Sequence, residues 1–315
     1  MPFKSLAGLK KLGSLDAEIV ALAAYQPGAV CAAFSTDPVK VGVFPFAGGQ
    51  PRIQSLTLER CEAGALIDER VAVVKCGDEV WGLLDIQHKP KVDPIGRSMR
   101  SLVHNSASKS ALAFGWSGEA SELKLEGNEV VGREFQVRGK VRACAVDGVN
   151  CYVVADEDGT GGKFREHPGS TPEAGTQIRC DLPLDARKLT RLVAGPQLAA
   201  LTQKGTTSVC VIRKMGAAAL EAKLLQVDSA VVDIAVLETT LFVLFADGYV
   251  RGYAADALQR TGDGARAVAS FELALGVNGV PTVLTATARG GNRLWFGTTE
   301  GDVWRCDCVI GSMSL

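Results

Sequence analysis

Seven times along the chain, two short apolar runs flank a tight turn centred on Gly or Asp, and the turns recur at nearly even spacing. Anchored on Asp37, Gly77, Gly118, Gly159, Gly205, Gly248 and Gly301, they stand 40, 41, 41, 46, 43 and 53 residues apart, a mean of 44. A unit of that length holds one small antiparallel sheet and cannot bury both faces of it alone, so the units must pack against one another. Seven units in 315 residues, 45 each, predict an all-β, seven-bladed β-propeller of four-stranded antiparallel blades, one domain spanning residues 1–315. Such a ring hosts many unrelated functions, so the fold alone assigns none.

The central hairpin of each blade reads almost directly: residues 29–34 with 39–44, 70–75 with 79–84, 111–116 with 121–126, 150–155 with 162–167, 197–202 with 207–212, 240–245 with 249–254 and 293–298 with 302–307. The first run of most pairs is apolar almost throughout, as expected of a strand covered on both faces by neighbouring blades. The second mixes in charge, as expected nearer solvent. Weaker segments supply inner strands (18–25, 141–146, 188–194, 230–236, 281–287) and outer ones (52–58, 131–137, 176–182, 218–227, 267–273). Only residues 87–109 remain for the outer strand of blade two and the inner strand of blade three. Nothing is left after the third strand of blade seven, whereas residues 3–13 precede the first inner strand with no other role. The N-terminal strand is therefore expected to pair in the last blade, closing the ring and removing sheet edges that invite aggregation.

Apolar residues make up 47% of the chain and charged residues 22%, the balance of a packed, soluble protein. Basic and acidic residues number 34 and 35, spread without a long single-sign block, for a net charge of −1. That argues against a nucleic-acid partner, which needs a concentrated positive footprint. No run approaches the ~18 apolar residues of a membrane span, and the start of the chain lacks the apolar core of a secretory signal. No membrane partner and a cytoplasmic location are expected. Nine cysteines, an odd number scattered without a dense framework, are expected to be reduced and buried.

Two segments carry a more specific likeness. DGYVRGY (247–253) and EGDVWRC (300–306) resemble the third strand of WD-repeat propellers, in which a turn ending in Asp-Gly leads into alternating apolar residues that close on a Trp-Asp pair. The resemblance is clear in two blades of seven. No Trp-Asp dipeptide or Gly-His pair occurs, so the family's Asp-His-Ser-Trp hydrogen-bond tetrad is not carried over. What the resemblance implies is a platform for one or more protein partners, engaged on the loops of one rim.

Motifs for chemistry are thin. The run from Asp156 to Gly162 resembles the opening of a calcium loop, but its fifth position is Thr160 and its twelfth His167, so a solvated hairpin turn is the expectation. A two-residue turn at Asp147-Gly148 would set Cys144 and Cys151 directly opposite at a hydrogen-bonded pair, ~5.5 Å apart at Cα. Cross-strand disulfides prefer closer approach, so both are read as reduced neighbours. Cys306 and Cys308 share one strand face without a second pair at zinc spacing and are assigned to the core. His88, His104 and His167 fall in no hydrolase elbow or zinc-protease helix, and no Gly-rich phosphate loop is present. No catalytic residue, cofactor or metal is assigned. Asp16, Asp147, Asp185 and Asp233 precede or lie in inner strands and could line the central channel, where propeller enzymes hold a metal; each also suits a turn or strand end.

The most cationic segment carries Lys89, Lys91, Arg97, Arg100, His104 and Lys109 with Asp93 as its only acid. It is a candidate surface for an acidic partner, and equally the composition of an exposed outer strand guarded against mispairing. Residues 254–280, which account for the long 53-residue step, are a second candidate, because insertions in a regular repeat often carry binding function. The expected function is a non-catalytic scaffold for protein partners. The alternative is a metal-dependent hydrolase or lyase with a carboxylate-lined site in the channel.

Overall fold

The computed structural model describes residues 3–310 except 98, 106–108, 148–149, 157–161, 169–177, 184, 196–197, 215–218, 255–257, 259–268, 270, 277–278 and 289–290. After an N-terminal strand, β1 (Phe3–Ser14), blade one comprises β2 (Ile19–Tyr25), β3 (Val30–Ser35), β4 (Lys40–Pro45) and β5 (Arg52–Ser55). Blade two holds β6 (Cys61–Leu66), β7 (Val71–Cys76), β8 (Glu79–Leu84) and β9 (Lys91–Arg97); blade three holds β10 (Met99–Asn105), β11 (Ser110–Gly115), β12 (Glu119–Glu126) and β13 (Glu129–Gln136). Blade four holds β14 (Lys140–Val146), β15 (Asn150–Asp156), β16 (Gly162–Pro168) and β17 (Ile178–Asp181). A single 3-10 turn (Ala186–Lys188) leads into blade five: β18 (Arg191–Ala194), β19 (Leu198–Thr202), β20 (Ser208–Lys214) and β21 (Leu220–Gln226). Blade six holds β22 (Val231–Leu237), β23 (Thr240–Phe245), β24 (Tyr249–Ala254) and β25 (Phe271–Ala274). Blade seven is built from β26 (Pro281–Thr287), β27 (Arg293–Thr298) and β28 (Asp302–Ile310), with β1 hydrogen-bonded outside β28.

The predicted seven-bladed propeller is therefore the fold, and the N-terminal strand closes it: β1 runs antiparallel to β28 from Phe3↔Ile310 to Ser14↔Asp302. Each inner strand packs on the next, β2 on β6, β6 on β10, and so on to β26, which packs back on β2. The weakest assignment holds too. Residues 87–109 do supply two strands, β9 and β10, separated only by residue 98.

No one central core exists. Seven apolar clusters each join two adjacent blades, for instance Phe34, Val41 and Val74 between blades one and two, and Phe242, Leu284 and Phe296 between six and seven. Burial follows from this geometry. The second strands β3, β7, β11 and β23 are buried at every position, while the outer β5 and β13 are exposed almost throughout. That is the physical reason for the apolar-then-mixed pattern in the sequence.

Two repeated backbone devices shape the inner face. In six of the seven inner strands the register shifts by one residue near the start, leaving Val20, Glu62, Arg100, Arg142, Val232 and Thr282 as bulged positions. A bulge bends its strand and re-aims a side chain, here at the point where each blade begins. On the same rim, the turn glycines of blades three and seven abut the connector leaving the blade. Gly118 has φ +96, its carbonyl accepts from Val137 N (2.8 Å), and a Cβ there would lie 2.2 Å from the Val137 oxygen. Gly301 repeats this: its carbonyl accepts from Leu15 N (2.9 Å), and a Cβ would lie 2.6 Å from Ala17 N. Only glycine fits a left-handed turn so tightly covered by backbone.

Candidate functional site

The topology sorts the loops into two rims. The turns between second and third strands and the connectors between blades share one end of the ring, the turn rim; the remaining loops share the opposite rim. Between them runs a central cavity of about 410 Å³ lined by residues from inner strands, among them Leu22, His104, Val146, Arg191, Val236 and Ala286, and by Asp147 and Glu238 just beyond strand ends.

Arg191 and His104 of its lining join blades, as do Asp233 and Thr282 on the inner strands that form its wall. Asp233 on β22 is buried, accepts from its neighbour Ile234 N (2.9 Å) and from Leu284 N of blade seven (2.7 Å), and lies 3.3 Å from the Arg191 guanidinium of blade five. One carboxylate thus ties three consecutive blades. Burial raises its pKa from the usual carboxylate value, opposed by Arg191 and the two N–H donors. His104 on β10 donates from Nδ1 to the Leu66 carbonyl of blade two, and burial lowers its pKa to about 4, so it is neutral at pH 7. Thr282 reaches from blade seven to the Ile19 carbonyl of blade one (2.6 Å).

The other channel candidates stand apart. Asp147, just after β14, accepts from Asn150 N (2.7 Å) and Tyr152 Oη (2.6 Å) and so closes its own hairpin. Asp16 is exposed on the turn rim and pairs with Lys40 (3.2 Å); Asp185 lies in the connector before blade five and pairs with Arg187 (3.0 Å). Among the described residues no three His, Cys, Asp or Glu side chains group closely enough to share a metal ion.

The five basic candidates whose side chains are described do not share one face. Lys89 and Lys109 are exposed on the opposite rim, and Lys91 sits on outer strand β9 paired with Asp93 (2.6 Å). His104 lies in the channel wall, and Arg100 is at the turn-rim end of β10. The Arg97 side chain lies outside the described residues. Most of residues 254–280 also lies outside them; of the described ones, β25 is the outer strand of blade six, Leu258 is buried in the cluster between blades five and six, and Leu275 in that between six and seven.

One register differs from expectation. Val146, not Cys144, pairs with Cys151, because Asp147 and Asn150 bridge the turn through both backbone and side chain and so shift the partner of Cys151 by two residues. Cys144 and Cys151 are diagonal neighbours with sulfurs 3.5 Å apart. All nine cysteines are free thiols, eight of them buried, and burial raises the pKa of most, including Cys31, Cys144 and Cys308. Residues 157–161 of the calcium-like run lie outside the described residues; Asp156 is buried and pairs with Arg142 (3.4 Å).

A residue the sequence patterns passed over is Trp116, 53% exposed beside the blade-three turn, with the Arg100 guanidinium 5.0 Å from the ring centroid. The available signal was a Trp at the solvent end of an apolar run, directly before Ser117-Gly118.

The segments 247–253 and 300–306 do form third strands, β24 and β28, each entered through a glycine of positive φ. Asp247 caps the first turn, accepting from Tyr249 N (3.0 Å) and Arg251 Nη2 (3.1 Å). No protein-family model matches the chain, and no curated protein matches its sequence. No helix among the described residues is long and apolar enough to cross a membrane.

Proposed function

We propose that the chain is a non-catalytic scaffold of WD-repeat-like type that binds protein partners through its rims in the cytoplasm. The observation that carries this reading is the division of labour between channel and rim. On the inner strands around the channel, Asp233, Arg191 and His104 are spent on bonds between blades, whereas the turn rim holds out an exposed tryptophan stacked with an arginine. A ring whose blades are locked to one another presents its loops already ordered, so a partner binds with little loss of conformational entropy. The nine free thiols suit a reducing compartment. The hydrolase or lyase alternative is not favoured, because the four aspartates proposed for it are dispersed and already bonded.

The test is affinity purification of the tagged full chain from its native cell, followed by size-exclusion chromatography and metal analysis. A protein that co-elutes in fixed ratio is expected. A lone chain carrying one divalent ion per molecule would replace the scaffold with the channel enzyme.

A further inference from the structure

We infer that the Arg100–Trp116 pair, on the turn rim where blades three and four meet, is the docking point for an extended acidic segment of a protein partner. This rests on the scaffold reading and adds to it a face and a chemistry.

Three observations carry it. First, Trp116 is the largest exposed apolar side chain among the described residues; the others of comparable exposure are single aliphatic residues, such as Ile53 and Val131 on outer strands. Second, Arg100 has no counter-ion among the described residues. It is the bulged residue of β10, half-buried against the indole, and among the described residues no carboxylate lies within ion-pair distance of it. Its neighbour Arg142, in the equivalent bulge of blade four, has Asp156 at 3.4 Å. Burial and the Arg142 charge both depress the Arg100 pKa, the signature of a cation placed against the local field. Third, the platform is fixed. Glu119 accepts from Ser117 N (2.8 Å), Gln136 donates to the Ser117 carbonyl (3.2 Å), and Gly118 is pinned under the Val137–Gly139 backbone.

Guanidinium and indole together specify the ligand. The planar fork takes a carboxylate through two parallel N–H bonds, and the indole face takes the apolar part of an adjacent side chain. Tryptophan and arginine are also the residue types in which binding energy concentrates at protein interfaces. Exposed Lys140, on the strand entering blade four, adds to the positive sign there. A nucleic acid offers phosphate and a stacking base to the same pair. Yet a net charge of −1 and 34 basic against 35 acidic residues provide no track for successive phosphates, so a protein carboxylate is the better match. Glu157 and Asp158 follow β15 in the sequence, outside the described residues, and the test accounts for them.

The probe is a phage-displayed library of random dodecapeptides selected on the full-length chain, with the best binder synthesised and its Kd measured by fluorescence anisotropy. The expected result is enrichment of peptides bearing several Asp or Glu beside an apolar residue. Affinity should fall at least about tenfold in Arg100→Gln and in Trp116→Ala, both with wild-type thermal unfolding. Glu157→Gln/Asp158→Asn should bind no more weakly than wild type. Enrichment without acidic bias, equal binding by the Arg100 and Trp116 variants, loss of binding in the Glu157/Asp158 variant, or tighter binding of an oligouridylate than of the peptides would each overturn the inference. The same two variants go through the affinity purification above. Partners retained equally by wild type and variants would leave the scaffold standing and remove this docking point; partners retained by none would remove both.

Discussion

Among the described residues, two arginine–tryptophan pairs face opposite fates. In blade seven, Arg305 lies over Trp295 with 5.7 Å to the ring centroid, the indole is fully buried, and Phe46 of blade one packs against it at 5.5 Å. Arg305 and Arg293 both donate to the Phe46 carbonyl, at 2.6 and 2.7 Å. In blade three, Arg100 lies over Trp116 at 5.0 Å, but the indole is half in solvent and the guanidinium has no ion-pair partner among the described residues. The same pairing serves as a staple where the chain ends meet and as an open contact where the chain is continuous. A blade assembled from both ends needs every strong interaction turned inward; a contiguous blade is held by its own hairpins and can turn one outward.

Removing residues 1–14 is the harshest test of that contrast. It strips β1 from β28 and leaves a long sheet edge unpaired, so the truncated chain should aggregate on size-exclusion chromatography. A soluble monomer with unchanged melting temperature would show that the seam needs no staple. Next, Trp295→Ala should cost about 3–5 kcal/mol in urea unfolding, as for other buried aromatics. Gly118→Ala should cost about 3 kcal/mol, because its φ of +96 and the overlying Val137 oxygen both oppose a Cβ. Gly205→Ala, with φ +81 but nothing within 4 Å, should cost only about 1 kcal/mol.

A smaller effect belongs to the channel. The folded-state pKa of His104, about 4, lies below its ordinary 6.5, so the unfolded chain takes up the proton first. The stability due to neutral His104 is complete above pH 6.5 and is lost as pH falls toward 4. Discounted for the part of the ring that reaches the channel surface, the loss is about 1–2 kcal/mol. His104→Gln should flatten this part of the stability–pH curve, and an unaltered slope would place the titrating group elsewhere. Smallest of all, Trp116→Ala should change stability by no more than about 0.5 kcal/mol, since its indole covers no core. A loss as large as that of Trp295→Ala would erase the distinction between the two pairs.

Much of the ring was legible because its cores are local. Each blade buries two faces of its second strand, and that requirement is written as unbroken apolar runs such as 71–74 and 241–245. β6 was harder to see: Cys61–Leu66 includes Glu62 and Gly64, and Gly64 is there because the Phe34 ring of blade one fills the space its side chain would need. The Cys144–Cys151 pairing was misplaced because Asp147 captures Asn150 N, a side-chain bond that resets the turn. The scattering of Lys89, Lys91, His104 and Lys109 shows the same limit. Neighbours along a strand pair point to different faces, and only the register and the curvature of the ring say which face is channel, rim or edge.

The amino-acid sequence alone determined the number of blades, the place of the seam and the burial order of the strands, because each depends on spacing and hydrophobicity within about 45 residues. Tertiary structure decided what the charged and aromatic residues are for. Asp233 became a tie between three blades, His104 part of the channel wall and Trp116 an open contact through the packing of strands distant in sequence. Whether a polar group is consumed or left available depends on its neighbours across a blade interface, and those no local pattern encodes.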